Sequence, residues 1–560
     1  MNTQFDAIVI GSGITGGWAA KELTERGLKV LLLERGPMVE HQTDYKTETT
    51  PPWELPFRGF GDPEQAAQDY MVQSKGMYFN EWTRQHFVND RENPYQTTEK
   101  DPFQWRRGYQ LGGKSLLWGR QCYRWSDIDF GANAADGHGV DWPIRYADVS
   151  PWYDHVESFI GVSGSKEGLP QLPDGIFQPA MQLNSVEKAL KAKIEQAFPD
   201  RRLIMGRSAN MTEEKPGRAP CQYRNICARG CSYGAYFSTQ SSTLPAARET
   251  GNLTLITDAL VDGLDHNAAT KRITGVRVID TKTRKRTTYA GKTVFLCAGT
   301  INSIGVLQRS ATDTMPTGLA NSSGTLGKYF MDHALTMSVI ARIPGFDDHA
   351  YYGNRPCSVV IPRFINLNNK DQRLLRGYSY QGLAYRRGWN QAIGEAGTGA
   401  ALKERLEHPG EWNMLLGGFA ECLPAESNRV TLDMKNLDPF GLPQTRIDFA
   451  YGQNERDLLA HALEEAKAML ALMKAEVISQ SAEPGLGGTA VHEMGGARMG
   501  RDPGTSVLNA HNQAHDIPNL FVTDGAAMAS TACQNPSLTY MALTARAAAF
   551  AADQVKQGAL

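Results

Sequence analysis

Phe5-Asp6-Ala7-Ile8-Val9-Ile10-Gly11-Ser12-Gly13-Ile14-Thr15-Gly16 decides the fold of this chain. The run up to Ile10 reads as a buried strand, the glycines as a tight loop, and Ile14 to Arg26 as a helix stopped by Gly27. Leu28-Lys29-Val30-Leu31-Leu32-Leu33 then reads as a second buried strand, ending on Glu34. Strand, glycine loop, helix, strand and acid form a complete dinucleotide-binding unit. In it Gly11 makes the turn, Gly13 admits a pyrophosphate to the backbone, and Gly16 lets helix and strand pack closely. The helix opening at Ile14 and Thr15 offers amides to phosphate, and Glu34, followed by Arg35, is placed at the ribose. Such a unit fits ADP-bearing cofactors generally and does not separate a nicotinamide from a flavin.

The 560 residues are too many for one compact core, so two domains or one elaborated domain are expected. Hydrophobic content of 41% with 21% charged residues belongs to an ordinary globular protein. The 58 basic residues balance 60 acidic ones, which gives no support to nucleic-acid binding or to a membrane-surface protein. No apolar run reaches the roughly 18 residues of a membrane-spanning helix. The N-terminus enters the first strand without a basic or apolar leader, so no export signal is expected, and the cytoplasm is the default. Eight cysteines do not make a disulfide scaffold. Five are scattered, whereas Cys221, Cys227 and Cys231 cluster.

Residues 37–107 carry no clear periodicity and read as a cover or arm. Residues 185–197 read as an amphipathic helix. Strand-like runs follow at Leu253 to Ile256, Ile273 to Ile279, Thr287 to Tyr289 and Thr293 to Cys297, and the last turns through Ala298-Gly299 into a helix from Ile301 to Arg309. Short alternating runs between about 336 and 450, such as Ser358 to Ile361 and Arg429 to Leu432, predict an antiparallel sheet. A long helix is expected over 453–476, and an alanine-rich helix from about Thr539 to Val555 closes the chain.

The C-terminal part holds Val491-His492-Glu493-Met494-Gly495-Gly496, then Val522-Thr523-Asp524-Gly525, then Cys533-Gln534-Asn535-Pro536-Ser537-Leu538-Thr539. With the N-terminal loop, Gly112-Gly113-Lys114-Ser115, Ala298-Gly299 and Leu326 to His333, these motifs resemble the glucose–methanol–choline (GMC) family of FAD-dependent oxidoreductases along nearly the whole chain. The resemblance implies a Rossmann-like FAD-binding domain joined to an α+β substrate domain on an antiparallel sheet, both woven from discontinuous segments. The FAD domain would take residues 1–45, 105–125, 210–335 and 490–560, the arm 46–104, and the substrate domain 126–209 and 336–489. Cofactor contacts are expected from Gly11, Gly13, Ile14, Thr15, Gly16, Glu34, Arg35, Gly112, Gly113, Ser115, Val261, Ala298, Gly299, Asp524, Gly525, Asn535, Pro536 and Thr539. Alcohol oxidation by hydride transfer needs a base for the hydroxyl proton. His492 matches that base, and Asn535 matches its partner, an amide that holds the substrate oxygen without taking a proton. His333, His511 and His515 read as structural. Leu117 stands where pyranose oxidases, similar in this segment, carry a flavin-linked histidine, so a dissociable FAD is expected.

Cys221, Cys227 and Cys231 resemble the cysteine loop of bacterial multi-subunit sugar dehydrogenases of the family, which hold an iron–sulfur cluster. Those relatives carry a further cysteine, where Gln222 or Arg224 stands here. Three thiolates suffice for a three-iron cluster, and a loop of buried thiols is the other reading. The stretches Tyr236 to Pro245 and Gln534 to Leu543 look most like glucoside 3-dehydrogenases and gluconate dehydrogenase-type subunits. That likeness implies oxidation of a sugar ring hydroxyl, at C3 of a glucoside, with electrons passed to a c-type cytochrome rather than oxygen. It also implies a small partner subunit whose export signal would carry the chain to the periplasm. Glu421, Asn428 and Arg429 are candidates for binding the sugar, against a plain role on the sheet. An oxygen-using pyranose oxidase, a FAD-containing lyase and a non-catalytic electron-transfer module are the competing readings.

Overall fold

The computed structural model describes residues 5–347, 349, 355–367, 373–386, 398–407 and 410–560. The opening strand, Phe5–Ile10, is the centre of a five-stranded parallel sheet. Val30–Leu33 and then Leu253–Ile256 lie on one side, Gly291–Leu296 and then Leu520–Val522 on the other. Strands 500 residues apart in sequence thus share one sheet, which makes the domain discontinuous. The central strands are buried on both faces and read as continuous apolar runs for that reason. The helix Ile14–Glu25 packs against the closing helix Ser537–Lys556 across one face.

Two glycines of the loop are required by this packing. Gly11 takes φ +93°, and a β-carbon there would come within 2.6 Å of the Cys297 carbonyl oxygen. A β-carbon on Gly16 would overlap the Gly11 carbonyl itself.

The second sheet is antiparallel and six-stranded. Its order runs Glu476–Ser481, Ser338–Ile343, Trp412–Ala420, Tyr378–Arg386, Val359–Ile361, Ile204–Met205. One face is sealed by the helix Gln453–Ala471. Tyr380 donates its hydroxyl hydrogen to the Ala462 carbonyl at 2.7 Å, and Tyr378 bonds His461 at 2.8 Å. The opposite face looks toward the cofactor domain.

Several boundaries differ from those expected. The helix predicted over 453–476 ends at Ala471, because Lys474 takes φ +53° and the chain becomes the edge strand Glu476–Ser481. The strand Ala259–Asn267, which carries Val261, was not legible. Two register breaks, at Val261/Gly263 and Asp265/His266, interrupt its alternation. The helix Tyr146–Ile160, from the segment expected in the substrate domain, packs against the closing helix, with the Tyr153 hydroxyl bonded to Thr539 at 2.8 Å. Residues 37–107 contain a short helix, Pro63–Asp69, several 3₁₀ turns and the two-residue strand Gln96–Thr97. Buried Asp90 ties this arm together, accepting from the amides of Val72 (2.8 Å) and Gln73 (3.1 Å) and pairing with Arg107 at 3.1 Å.

Among the described residues no helix is long and apolar enough to cross a membrane.

Candidate active site and cofactor cleft

Three helices of the parallel-sheet domain, Ile14–Glu25, Thr300–Arg309 and Ser537–Lys556, begin without any side chain capping their first amides. The peripheral helix Ser185–Ala197, by contrast, is capped by Asn184. Uncapped buried helix N-termini leave donors that only a ligand or water can satisfy, and they favour negative charge. Gly13 precedes the first of them, and a β-carbon there would have nothing within 4 Å. Facing it, Gly113 comes within 3.5 Å of the Gly13 α-carbon when given a β-carbon, and Gly112 donates its amide to the Ser12 hydroxyl at 2.8 Å. The two glycine segments therefore pack directly against each other, with the amide end of Ile14–Glu25 beside them.

Glu34 is buried at the end of the second strand. Its carboxylate accepts from the Ser12 amide (3.1 Å), the Ser12 hydroxyl and the Gly36 amide (2.9 Å). Burial pushes its pKa up, against those hydrogen bonds. Three of about four acceptor positions are used, leaving one for a ribose hydroxyl. Val261 follows close by, since the Ala259 amide bonds the Glu34 carbonyl at 2.8 Å. Arg35 stacks on the Tyr109 ring at 4.1 Å and bonds Asn93. Ser115 lies in the turn Gly113–Leu116 and accepts the Thr239 amide at 3.1 Å. Ala298 and Gly299 sit at the mouth of Thr300–Arg309. Asp524 accepts from Gly299 (2.9 Å), Ser303 and Ala526 (3.0 Å), and burial raises its pKa to about 6. Gly525 is pressed against the Glu493 carbonyl and Thr300. Pro536 occupies the position just before the closing helix without capping its amides, and the Thr539 hydroxyl is taken by Tyr153. The donors, the open Gly13 and the acceptor Glu34 fit an ADP-containing cofactor, and Asn535 stands at the N-terminus of the closing helix.

His492 and Asn535 meet there. Asn535 Nδ2 lies 3.2 Å from His492 Nε2, and Asn535 Oδ1 accepts from Gln381 Nε2, which orients the amide with its NH₂ toward the histidine. His492 Nδ1 lies 2.9 Å from His333 Nδ1, and His333 Nε2 abuts the Ala532 carbonyl. A carbonyl only accepts, so His333 carries its hydrogen on Nε2 and presents a bare Nδ1. His492 must then donate from Nδ1, which leaves the lone pair on Nε2. Burial lowers the His492 pKa well below its ordinary value, helped by His333 and Lys114, and burial holds that of His333 down to about 4. Both rings are neutral at physiological pH.

The backbone is held with equal care. Val491, a β-branched residue, takes φ +59°, a conformation costing about 1–3 kcal/mol. Buried Asp332 stabilises it by accepting the amides of Gly488 (2.8 Å) and His492 (2.9 Å). Burial, then the neighbouring Glu493, raises the Asp332 pKa to about 7. Glu493 pairs with Lys114 at 2.9 Å, joining the second glycine segment to the histidine motif.

Three contributors escaped the sequence reading. His333 was read as structural, yet it fixes the tautomer of His492. The adjacent Asp332-His333 pair inside a family-like segment was the available signal. Gln381 and Phe419, whose ring centroid lies 6.2 Å from that of His492, come from the antiparallel sheet and left no signal. Glu421 is not at the site: it is buried and paired with Arg363 at 2.9 Å. Asn428 bonds the Ala450 backbone. His511 stacks on Phe550 at 4.0 Å, and His515 bonds Ser506. The Cys221 loop lies apart from the pair. Its Ala228 packs against Leu116 and Leu117, burial pushes the Cys221 thiol up to about 11, and among the described residues no three His, Cys, Asp or Glu side chains converge on one metal ion.

A parallel-sheet dinucleotide domain with a histidine–asparagine pair at the start of its closing helix, set against an antiparallel sheet, fits an oxidoreductase architecture. Residues 5–335 and 424–544 match the N- and C-terminal domains of the GMC oxidoreductases, and the chain belongs to that family. Members of the family bind FAD. The chain is 28% identical to 2-methyl-1,2-propanediol dehydrogenase of Mycolicibacterium austroafricanum, over 97% of this chain and 94% of that protein. It is 25% identical to the fructose dehydrogenase large subunit of Gluconobacter japonicus, over 99% and 98%. The solved structure of pyridoxine 4-oxidase from Mesorbium loti has the same fold, with a TM-score of 0.60 at 16% identity, covering 97% and 98% of the two chains.

Proposed function

We propose that this chain is an FAD-dependent dehydrogenase that oxidises a ring secondary hydroxyl of a sugar, at C3 of a glucoside, to a ketone. The observation that carries this reading is that, among the described residues, the proton-accepting Nε2 of His492 meets only the Asn535 amide, at 3.2 Å. FAD, when bound, supplies the hydride acceptor. A substrate hydroxyl that displaces the Asn535 amide from Nε2 would donate its hydrogen to His492 Nε2 and accept one from Asn535 Nδ2. Asn535 then holds the oxygen in line, and Gln381 holds Asn535. His492 takes the hydroxyl proton as hydride leaves the carbon, and its Nδ1–H keeps its bond to His333. Glu34, Arg35 and the loop from Gly11 to Gly16 hold the distant end of the cofactor. The family's alcohol- and sugar-oxidising relatives support this class of substrate. Anaerobic reduction of the bound flavin by a panel of glucosides, with the product identified by NMR, tests it. Bleaching by no sugar would end it.

The cytochrome acceptor, a small signal-bearing partner subunit and a periplasmic location are parts of the same proposal. A relative named as the large subunit of fructose dehydrogenase supports the presence of a further subunit. Faster reoxidation by dissolved oxygen than by cytochrome or dye would favour the oxidase reading instead. The FAD is proposed to be dissociable, because Leu117 offers no nucleophilic atom for a flavin bond. Acid precipitation should leave the flavin in the supernatant. Cys221, Cys227 and Cys231 do not converge on one metal position among the described residues, so their loop is read as plain thiols rather than as the holder of an iron–sulfur cluster. Anaerobically purified protein should carry neither stoichiometric iron nor acid-labile sulfide. Finding both would restore the cluster.

The lowered pKa of His492 has a direct consequence. Its neutral, proton-accepting form persists as pH falls through the ordinary imidazole range, so kcat/KM should show no limb from this imidazole between about pH 6 and 8, and any limb near pH 7 belongs to Asp332. His333→Asp would set a carboxylate against Nδ1–H, raise the pKa of His492 and bring a rising limb into that interval.

A further inference from the structure

We infer that the substrate pocket has a second, apolar subsite that takes a flat apolar aglycone. This rests on the proposed oxidation of a glycoside at the His492–Asn535 pair and specifies the part of the substrate that is not oxidised. The argument comes from strand register. In an antiparallel sheet, directly paired residues share a face. Two contacts identify which face of the six-stranded sheet looks at the pair: Gln381 bonds Asn535, and the Phe419 ring lies beside His492.

On that face the paired residues form successive rungs. Nearest the reacting centre, Gln381 pairs with Gly417, which pairs with Ser338. This rung is polar, and it is low in the middle. A β-carbon on Gly417 would touch its nearest atom at 3.6 Å, an ordinary contact, so its bareness is not forced by packing and leaves room above the strand. A sugar ring whose hydroxyl sits between His492 and Asn535 would lie over it. The next rung is Leu383, Leu415 and Ile340. All three are half-buried, while their neighbours Ala384, Leu416 and Ala341 are buried on the other face, Ala384 beside the start of the helix Ser185–Ala197. The rung beyond it, Tyr385, Asn413 and Arg342, is polar again.

An aliphatic row between two polar rungs is not what a pocket for a bare polyol needs, because each sugar hydroxyl over it would lose its partner. With about 3.4 Å per residue along a strand, the row begins about 7 Å beyond the polar rung. Neighbouring strands lie about 4.8 Å apart, so three side chains make a flat patch about 10 Å across. That distance is about one sugar ring, and the patch matches the face of an aromatic ring.

The test compares phenyl β-glucoside, methyl β-glucoside and cellobiose as reductants of the FAD-loaded protein. Covering one phenyl face, about half of an aromatic side chain's 150–250 Å², at about 25 cal/mol per Å² corresponds to about 20- to 200-fold. Phenyl β-glucoside should therefore exceed methyl β-glucoside by at least about 20-fold in kcat/KM, carried by KM, and should also exceed cellobiose, whose second ring is polar. In Leu415→Asn, and separately in Leu383→Asn, the phenyl-to-methyl ratio should fall to near one. A ratio below about 3-fold in the unmodified protein, a preference for cellobiose, or an undiminished ratio in both variants would overturn the inference. If no glucoside bleaches the flavin, the proposed function fails by itself. The subsite is then read by calorimetry with benzyl alcohol and glycerol. Benzyl alcohol should bind more tightly than glycerol, and at least 10-fold more weakly to Leu415→Asn. Equal binding to the two proteins, or none, would overturn the inference.

Discussion

His492→Ala should slow anaerobic bleaching of the flavin by substrate by about 10²–10⁴-fold, the range supplied by a positioned general base. FAD content and thermal unfolding should be little altered. The expectation follows from counting lone pairs. His333 Nε2 is committed to the Ala532 carbonyl and His333 Nδ1 to His492, so His333 has none to offer a substrate. Asn535 has no basic nitrogen, and its carbonyl is occupied by Gln381. Asp332 is enclosed by the amides of Gly488 and His492. Nε2 of His492 is what remains. Asn535→Ala should cost less, because it removes orientation and leaves the base in place, and its loss should fall on both kcat and KM. Stopped-flow reduction traces of the two variants at saturating substrate separate these outcomes. A His492→Ala protein that bleaches at the unmodified rate would remove the histidine from the chemistry.

What could be read from the sequence followed locality. The unit from Phe5 to Glu34 is contiguous, its strands are apolar because they are buried on both faces, and its glycines answer to steric demands a few residues away. His492 and Asn535 stood out because each lies in a short, unusual segment. The residues that orient them did not. Gln381 is one polar residue in an alternating strand, and only the pairing of Tyr378–Arg386 with Trp412–Ala420 brings it to the asparagine. Asp332 and His333 act through backbone amides and a tautomer, neither of which leaves a periodic signal. The arm at 37–107 was opaque for a related reason: its order comes from buried Asp90 and Gln73 bonding backbone and Arg107 at long range. The Ala259–Asn267 strand was hidden by its own register breaks.

The glycines of the opening loop allow the cofactor's demands to be separated from those of the fold. Gly16→Ala forces a β-carbon into the Gly11 carbonyl, between a helix and a strand that have no room to part. Overpacking of this kind costs about 1–3 kcal/mol or more, so the variant should lose thermal stability whether or not FAD is present. Gly13→Ala is sterically silent in the protein itself. Its φ of −61° suits alanine, and no atom lies within 4 Å of the new β-carbon. The apoprotein should therefore melt at the unmodified temperature. The open space above Gly13 is, however, the place where the uncapped amides of Ile14–Glu25 face the second glycine segment. A methyl group there keeps a pyrophosphate from the backbone. Losing one or two hydrogen bonds to a charged group, at about 1.5–3 kcal/mol each, corresponds to about 10²–10³-fold weaker FAD binding. FAD titration of the two apoproteins beside their melting curves reads both effects. If Gly13→Ala bound FAD as tightly as the unmodified chain, the pyrophosphate would have to lie elsewhere, and the open space beside Gly13 would have no role in holding it.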